Sequence, residues 1–292
     1  MKKNITIPAA YACVYLFWGI TYYFIRLGVD SLPPFILFGS RFIISGSIFL
    51  LITAGSRRPG FKKIFTAMLL GSLLLGANAL VTIAEQKIES YLAALILSAT
   101  PLMVAVFDRI FSGIKISIIK LAGVLLGIIG VAVLFYDGKK VASPSFEILL
   151  LFGALFCWAL GTSIGKKLDL PENVITSSGI QMLWVGLAGL LIAVLQGHNA
   201  ALLFSASIKS LIGLGGLLVF GSTGFIAYTW LVKNEPAIRV SSSALVNPVV
   251  AVLVGLFIGR ETPAVLLLPG CICILCGITF MLYGEKIIAA KK

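Results

Sequence analysis

The sequence predicts an all-α integral membrane protein of ten transmembrane helices, arranged as two inverted five-helix repeats. Three observations carry this prediction. Hydrophobic residues make up 59% of the 292 positions and charged residues only 12%, about half the charged fraction of a soluble domain. Apolar runs of the length needed to cross a bilayer, about 20 residues, recur from end to end. Residues 101–136 also lie on residues 248–283 without a gap, pairing Pro101 with Pro248, Leu121 with Leu268, Gly123 with Gly270, Gly130 with Gly277 and Tyr136 with Tyr283. Upstream, Trp18 falls on Trp158 and Arg41 on Gln181.

The runs place spans at 6–26, 34–54, 64–84, 90–108, 117–136, 146–165, 176–196, 208–231, 238–258 and 264–284. The first follows Met1–Lys3 as a leader peptide would, but it is too long for a leader's apolar core and carries Trp18 and several tyrosines, so it reads as a retained helix. The third span places Asn78 and Thr82 four residues apart, and the fourth and ninth carry the aligned prolines. In the fifth, Gly123, Gly127 and Gly130 form a small-residue stripe that serves either packing within the molecule or a homodimer. Its counterparts Gly270 and Gly277 in the tenth span favour packing. The sixth sets Trp158 and Thr162 on one face, and the eighth holds Ser222 and Tyr228. Asp137–Ser145, with two lysines and a proline, is the joint between repeats at 1–138 and 146–292.

The net charge of +12 would suit nucleic acid if the basic residues shared a face. They sit instead in short gaps between spans, where cytoplasmic Lys and Arg belong. With the N-terminus in the cytoplasm, sixteen Lys and Arg fall inside and six outside, which puts both termini in the cytoplasm. Five helices per repeat is an odd number, so the second repeat starts from the opposite side, the arrangement that lets many carriers alternate. The five cysteines all lie in apolar runs. Cys271, Cys273 and Cys276 have no histidine or acid nearby to complete a metal shell, so no metal or other cofactor is expected.

Phe17-Trp18-Gly19, Leu32-Pro33-Pro34, Arg41-Phe42, and Asn247-Pro248 through Gly259-Arg260-Glu261, followed by Gly270 and Gly277, resemble the EamA type of the drug/metabolite transporter superfamily. The resemblance runs over the whole chain. It implies a carrier of small organic solutes, often an exporter of amino acids or other metabolites, with a central cavity lined by spans 1, 3, 4, 6, 8 and 9. One departure stands out: Ile114 occupies the position that faces Glu261, where the family often has an acid.

Polar groups inside a bilayer are expensive unless they face protein or water, so they mark candidates. Tyr11, Tyr15, Trp18 and Tyr22 step along one face of the first span. Trp18, Tyr22, Asn78, Thr82, Thr100, Trp158, Thr162, Tyr228 and Asn247 are the candidate solute-binding residues, each weighed against simple packing or an interhelical hydrogen bond. Pro101 and Pro248 are the candidate hinges, because each frees a carbonyl four residues earlier, on Leu97 and Ala244. Arg41, deep in the second span, either binds an anionic group of the solute or fixes its helix through carbonyls or an acid. The resemblance places that span outside the cavity, which favours the structural role.

No Asp, Glu or His falls in the middle of a span, so the expected mode is uniport or weak proton coupling, with Glu85 the main exception to watch. No G-x-x-x-x-G-K-[ST] loop is present to cradle a nucleotide. Buried paired basic residues, which phosphorylated solutes call for, are also lacking. The reading is a secondary transporter that moves a small organic metabolite (amino acid-like, neutral, zwitterionic or cationic) across the cytoplasmic membrane by alternating access, in the export direction. Its partners are that solute and the lipid bilayer. An importer of the same fold, or a receptor or assembly factor without transport, is the alternative. An enzyme is not expected, because no nucleophile and base are clustered.

Overall fold

The computed structural model of the chain describes residues 2–84, 93, 96–134, 136, 146–258 and 266–289. These form α1 (Lys2–Gly28), α2 (Pro34–Ile52), α3 (Phe61–Ala84), α4 (Thr100–Ser112), α5 (Ile118–Leu134), α6 (Phe146–Gly165), α7 (Val174–Leu195), a short 3-10 turn (Ala200–Ser205), α8 (Ile208–Gly216), a π turn (Leu217–Gly221), α9 (Ser222–Asn234), α10 (Ala237–Val240), α11 (Ser243–Phe257) and α12 (Leu267–Ala289). The described residues contain no strand. The first part of the fourth span, Glu85, the joint Asp137–Ser145 and the motif Gly259-Arg260-Glu261 lie outside them.

The protein is a multi-pass helical membrane protein. Among the described residues six helical runs are long and apolar enough to cross a bilayer, one of them the continuous Ile208–Asn234 formed by α8, the π turn and α9. Shorter apolar helices cover Ile118–Val133, Ala237–Ala251 and Leu268–Gly284. The sequence makes the helix ends where its local chemistry allows. Pro34 opens α2, a position where the missing N–H has no partner to lose. Gly113 closes α4 at φ 65°, a left-handed conformation that only glycine adopts without penalty. The Asn173 side chain accepts from the backbone N–H groups of Ile175 and Thr176 to start α7.

Two flanking helix pairs close to backbone distance, as α1 and α8 also do where a Cβ on Gly213 would meet the Gly28 nitrogen. A Cβ on Gly277 of α12 would stand 2.5 Å from the Gly123 carbonyl of α5, and one on Gly130 would stand 2.7 Å from the Ile274 nitrogen. The glycine stripe of the fifth span is therefore spent inside the molecule. The same holds for α2 against α7, where a Cβ on Gly46 or Gly186 would meet backbone at 2.6 Å. Between these flanking pairs, α1 packs on α9 and α11, α6 on α3 and α4, and α3 on α7.

The main apolar core lies toward the end of the molecule where α1 begins. It gathers Ala10 and Val14 of α1, Leu70 and Leu74 of α3, Leu231 and Val232 of α9, and Val240 of α10. At that end Lys63 reaches Glu172 at 3.4 Å and Asp169 at 3.7 Å. These are exposed pairs whose energetic worth is small. Asp108, only 8% exposed, accepts a hydrogen bond from Ser163 and so ties α4 to α6. Asp108 and Glu147, the described acids that fall within the expected spans, both stand at span ends.

Candidate functional site

A cavity of about 130 Å³ lies between the two sequence halves. By this measure a single water needs only about 10–15 Å³, so there is room for an organic solute. From the first half come Trp18, Thr21, Tyr22 and Ile25 of α1, Arg41 and Phe42 of α2, Asn78, Val81 and Thr82 of α3, and Thr100 of α4. From the second half come Ala154 and Trp158 of α6, Gly221 and Phe225 around α9, and Ala244, Asn247 and Pro248 of α11. The α1 residues belong to the second half of that helix and the α3 residues to its last third. The cavity is accordingly displaced toward the face where α1 ends, and the apolar core seals it from the face where α1 begins.

Aromatic rings make the floor. Trp18 and Trp158 meet edge to face, with centroids 5.4 Å apart. Tyr228 lies 4.8 Å from Trp18 and 5.3 Å from Trp158. Its hydroxyl accepts from Trp158 Nε1 at 2.8 Å and shares a hydrogen bond with Thr162 Oγ1. Trp18 Nε1 donates to the Gly221 carbonyl at 3.3 Å. The π turn sets that carbonyl, in keeping with the frequent use of such turns at functional sites. Gly224, one helical turn on, lets the indole approach, because a Cβ there would lie 2.7 Å from Trp18 Cδ1 and Nε1.

The structure brings Trp18, Tyr22, Asn78, Thr82, Thr100, Trp158 and Asn247 to one cavity. Thr162 and Tyr228, both 0% exposed, stand behind the floor and hold Trp158 in place. They support the lining and do not form part of it. The two candidate hinges differ. Pro248 lies inside α11, and the Ala244 carbonyl it frees belongs to a residue that lines the cavity. Pro101 lies in the first turn of α4, where it kinks nothing, and the Leu97 carbonyl accepts from Thr100 Oγ1 at 2.6 Å. The ninth span is also interrupted before its proline, at Ser241–Ser242, between α10 and α11. There Ser242 Oγ meets Tyr15 of α1.

The resemblance excluded the second span from the cavity, and the structure does not. Arg41 and Phe42 both line it, and the Arg41 guanidinium lies 4.2 Å from the centroid of the Phe42 ring. Thr21 and Ile25 were missed as well, although with Trp18 and Tyr22 they complete one helical stripe at spacings of three and four residues. Among the described residues no cluster of His, Cys, Asp or Glu could hold a metal, and no carboxylate lines the cavity.

The model of the EamA-like transporter family matches residues 7–136 and again residues 145–283. The chain belongs to the EamA-like transporter family. Relatives in this family include the protein named uncharacterized inner membrane transporter YedA of Escherichia coli (strain K12), 34% identical over 266 residues that cover 89% of this chain and 85% of the relative. A Salmonella typhimurium protein named "probable amino-acid metabolite efflux pump" is 26% identical over 292 residues, covering 94% of each chain. The uncharacterized transporter of Archaeoglobus fulgidus is 26% identical over 268 residues, 87% of this chain and 89% of the relative. A solved crystal structure superposes with a TM-score of 0.80 over 97% of this chain and 98% of that one, at 16% identity, a likeness of fold alone. The EamA-like chain is thus a membrane transporter of small molecules, and the cavity is where its lining residues converge.

Proposed function

We propose that this transporter carries a small, amino acid-like organic metabolite across the cytoplasmic membrane by alternating access, in the export direction and with both termini in the cytoplasm. The observation that carries this reading is the cavity itself. It is built from both halves, lies toward the face where α1 ends and is backed on the side of the N-terminus by packed apolar residues. A carrier caught facing one side would have this shape.

Inverted repeats are supported by the packing. Exchanging each span with the one five later turns α1 on α11 into α6 on α4, and α1 on α9 into α6 on α3, and all four contacts occur. The pairs α2–α7 and α5–α12 exchange into themselves, as they would about an axis lying in the membrane plane. An amino acid metabolite is supported by the name of the Salmonella typhimurium relative and by a lining that mixes indole rings with amide and hydroxyl groups. Uniport is supported by the lack of a carboxylate or histidine in the described lining, since proton carriers use such groups along the path.

The experiment is counterflow in liposomes containing the purified protein, preloaded with individual amino acids and related metabolites. A saturable exchange that follows the solute gradient, is indifferent to an imposed pH gradient and is lost in Trp158→Ala is the expected result. Exchange no faster than in protein-free liposomes for every solute would remove the transport reading, and uphill accumulation driven by a pH gradient alone would remove the uniport reading.

A further inference from the structure

We propose that Arg41 is the carboxylate-binding group of the cavity, so that the transported solute bears a carboxylate beside an apolar body. This deepens the transport reading and rests on it. Arg41 is the only charged residue in the described lining. Among the described residues no acid accepts its protons and no carbonyl does either, so the anchoring role leaves it without an anchor. The Arg41 guanidinium carbon lies over the Phe42 ring, 4.2 Å from its centroid. A cation–π contact takes up no N–H···O hydrogen bond, and the guanidinium carries the donor fork that matches a carboxylate.

The other half supplies a control built into the chain. Gln181 stands where Arg41 stands in the first half, yet it is 0% exposed, donates to Ser177 Oγ at 3.2 Å and packs against Gly71. The position can therefore hold its helix without a charge and without reaching the cavity. A cation with no partner among the described residues of the bilayer interior is costly, and a solute anion is the partner that the described lining lacks. A single guanidinium suits a carboxylate better than a phosphate dianion, which calls for a second cation. The rest of the solute would meet Trp18, Trp158 and Phe225. Asn247, whose Oδ1 has no donor among the described residues, would face a solute ammonium.

The test is thermal unfolding of the purified protein in detergent with three probes that share one ring: phenylalanine, phenylpropanoate and phenethylamine. The set of leucine, isocaproate and isoamylamine repeats the comparison without the ring. The carboxylate-bearing probes raise the unfolding temperature and the amines do not. Protection by the amino acid alone, or by both acids, supports the assignment and separates a zwitterion site from a plain carboxylate site. Arg41→Gln weakens carboxylate binding by about 10- to 100-fold, the range of a lost hydrogen bond to a charged group. Arg41→Lys, a point charge without the fork, recovers part of it. Without any probe, Arg41→Gln unfolds at the wild-type temperature or above it, because an unpaired cation has been removed.

The assignment is overturned if amines protect as well as acids, if no carboxylate probe protects, or if Arg41→Gln unfolds early and Arg41→Lys restores stability with probe binding unmoved. Carboxylate binding without flux in liposomes would leave Arg41 assigned and remove the transporter reading. Flux of phenethylamine that Arg41→Gln does not slow would do the reverse.

Discussion

Replacing Tyr228 by Phe removes one oxygen from the support of the cavity floor. That oxygen accepts from Trp158 Nε1 at 2.8 Å and is shared with Thr162 Oγ1, and the residue that carries it is 0% exposed. Thr162 keeps a second partner, the Trp158 carbonyl at 2.8 Å, so its hydroxyl is not orphaned. The indole N–H of Trp158 is orphaned, and an unsatisfied buried donor costs about 1–3 kcal/mol. Trp158 lines the cavity, where water can reach part of it, which places the cost in the lower half, about 1–2 kcal/mol. For a chain of this size that amounts to a fall of about 2–8 °C in unfolding temperature. Tryptophan fluorescence during thermal unfolding in detergent is the assay, and the folded-state emission itself should shift as the indole changes partner. Thr162→Val with Tyr228→Phe forms a double-mutant cycle in which the pair costs less than the sum of the single changes. If Tyr228→Phe leaves both unfolding and emission unchanged, the hydrogen-bonded floor is not what holds Trp158.

Gly224→Ala should push Trp18 off its seat, since the new methyl would stand 2.7 Å from the indole; solute protection in the thermal assay falls while the protein still purifies as a folded monodisperse species. Gly277→Ala meets backbone on both sides, the Gly123 carbonyl at 2.5 Å and the Gly127 nitrogen at 2.6 Å, and should cost about 1–3 kcal/mol or more, read as a lower unfolding temperature with no selective effect on solute binding. Ser163→Ala deprives the buried Asp108 carboxyl of its donor and should cost about 1–3 kcal/mol, a loss that Asp108→Asn in the same background partly recovers. In a cysteine-free background, Asn78→Cys should react with a membrane-impermeant thiol reagent added outside the cell, whereas Val14→Cys, sealed in the core, should not.

The spans were legible because a bilayer demands about 20 apolar residues in a row, and helix after helix begins and ends within a few residues of the apolar run that announces it. Trp18 and Trp158, which the sequence aligns with each other, are brought into contact by the fold. Rotation about each helix axis was not. A membrane helix is apolar all round, so no polar face announces the core, and nothing in the sequence marked Arg41 as lining the cavity. Tyr228 shows the same limit from the other side, since its type and depth suited a lining residue but its rotation sets it one layer behind. Paired prolines also proved a poor guide to paired geometry. Pro101 opens a helix and Pro248 interrupts one, a difference decided by the residues before each: Ser98 and Ala99 form a turn directly ahead of Pro101, whereas the break before Pro248 falls earlier, at Ser241–Ser242.

The two glycine seams constrain how such a molecule can move. Where one helix carbonyl nearly touches the Cα of its neighbour, sliding by a fraction of a turn would drive atoms into one another, and separation would open a void along most of a span. α2 with α7, and α5 with α12, therefore behave as struts, each able to pivot but not to shear. Both struts pair helices from opposite halves of the chain, so an exchange of access of the proposed kind would pivot about them. Under that proposal the lateral flanks would be the stillest parts of the protein, with lipid against these axles.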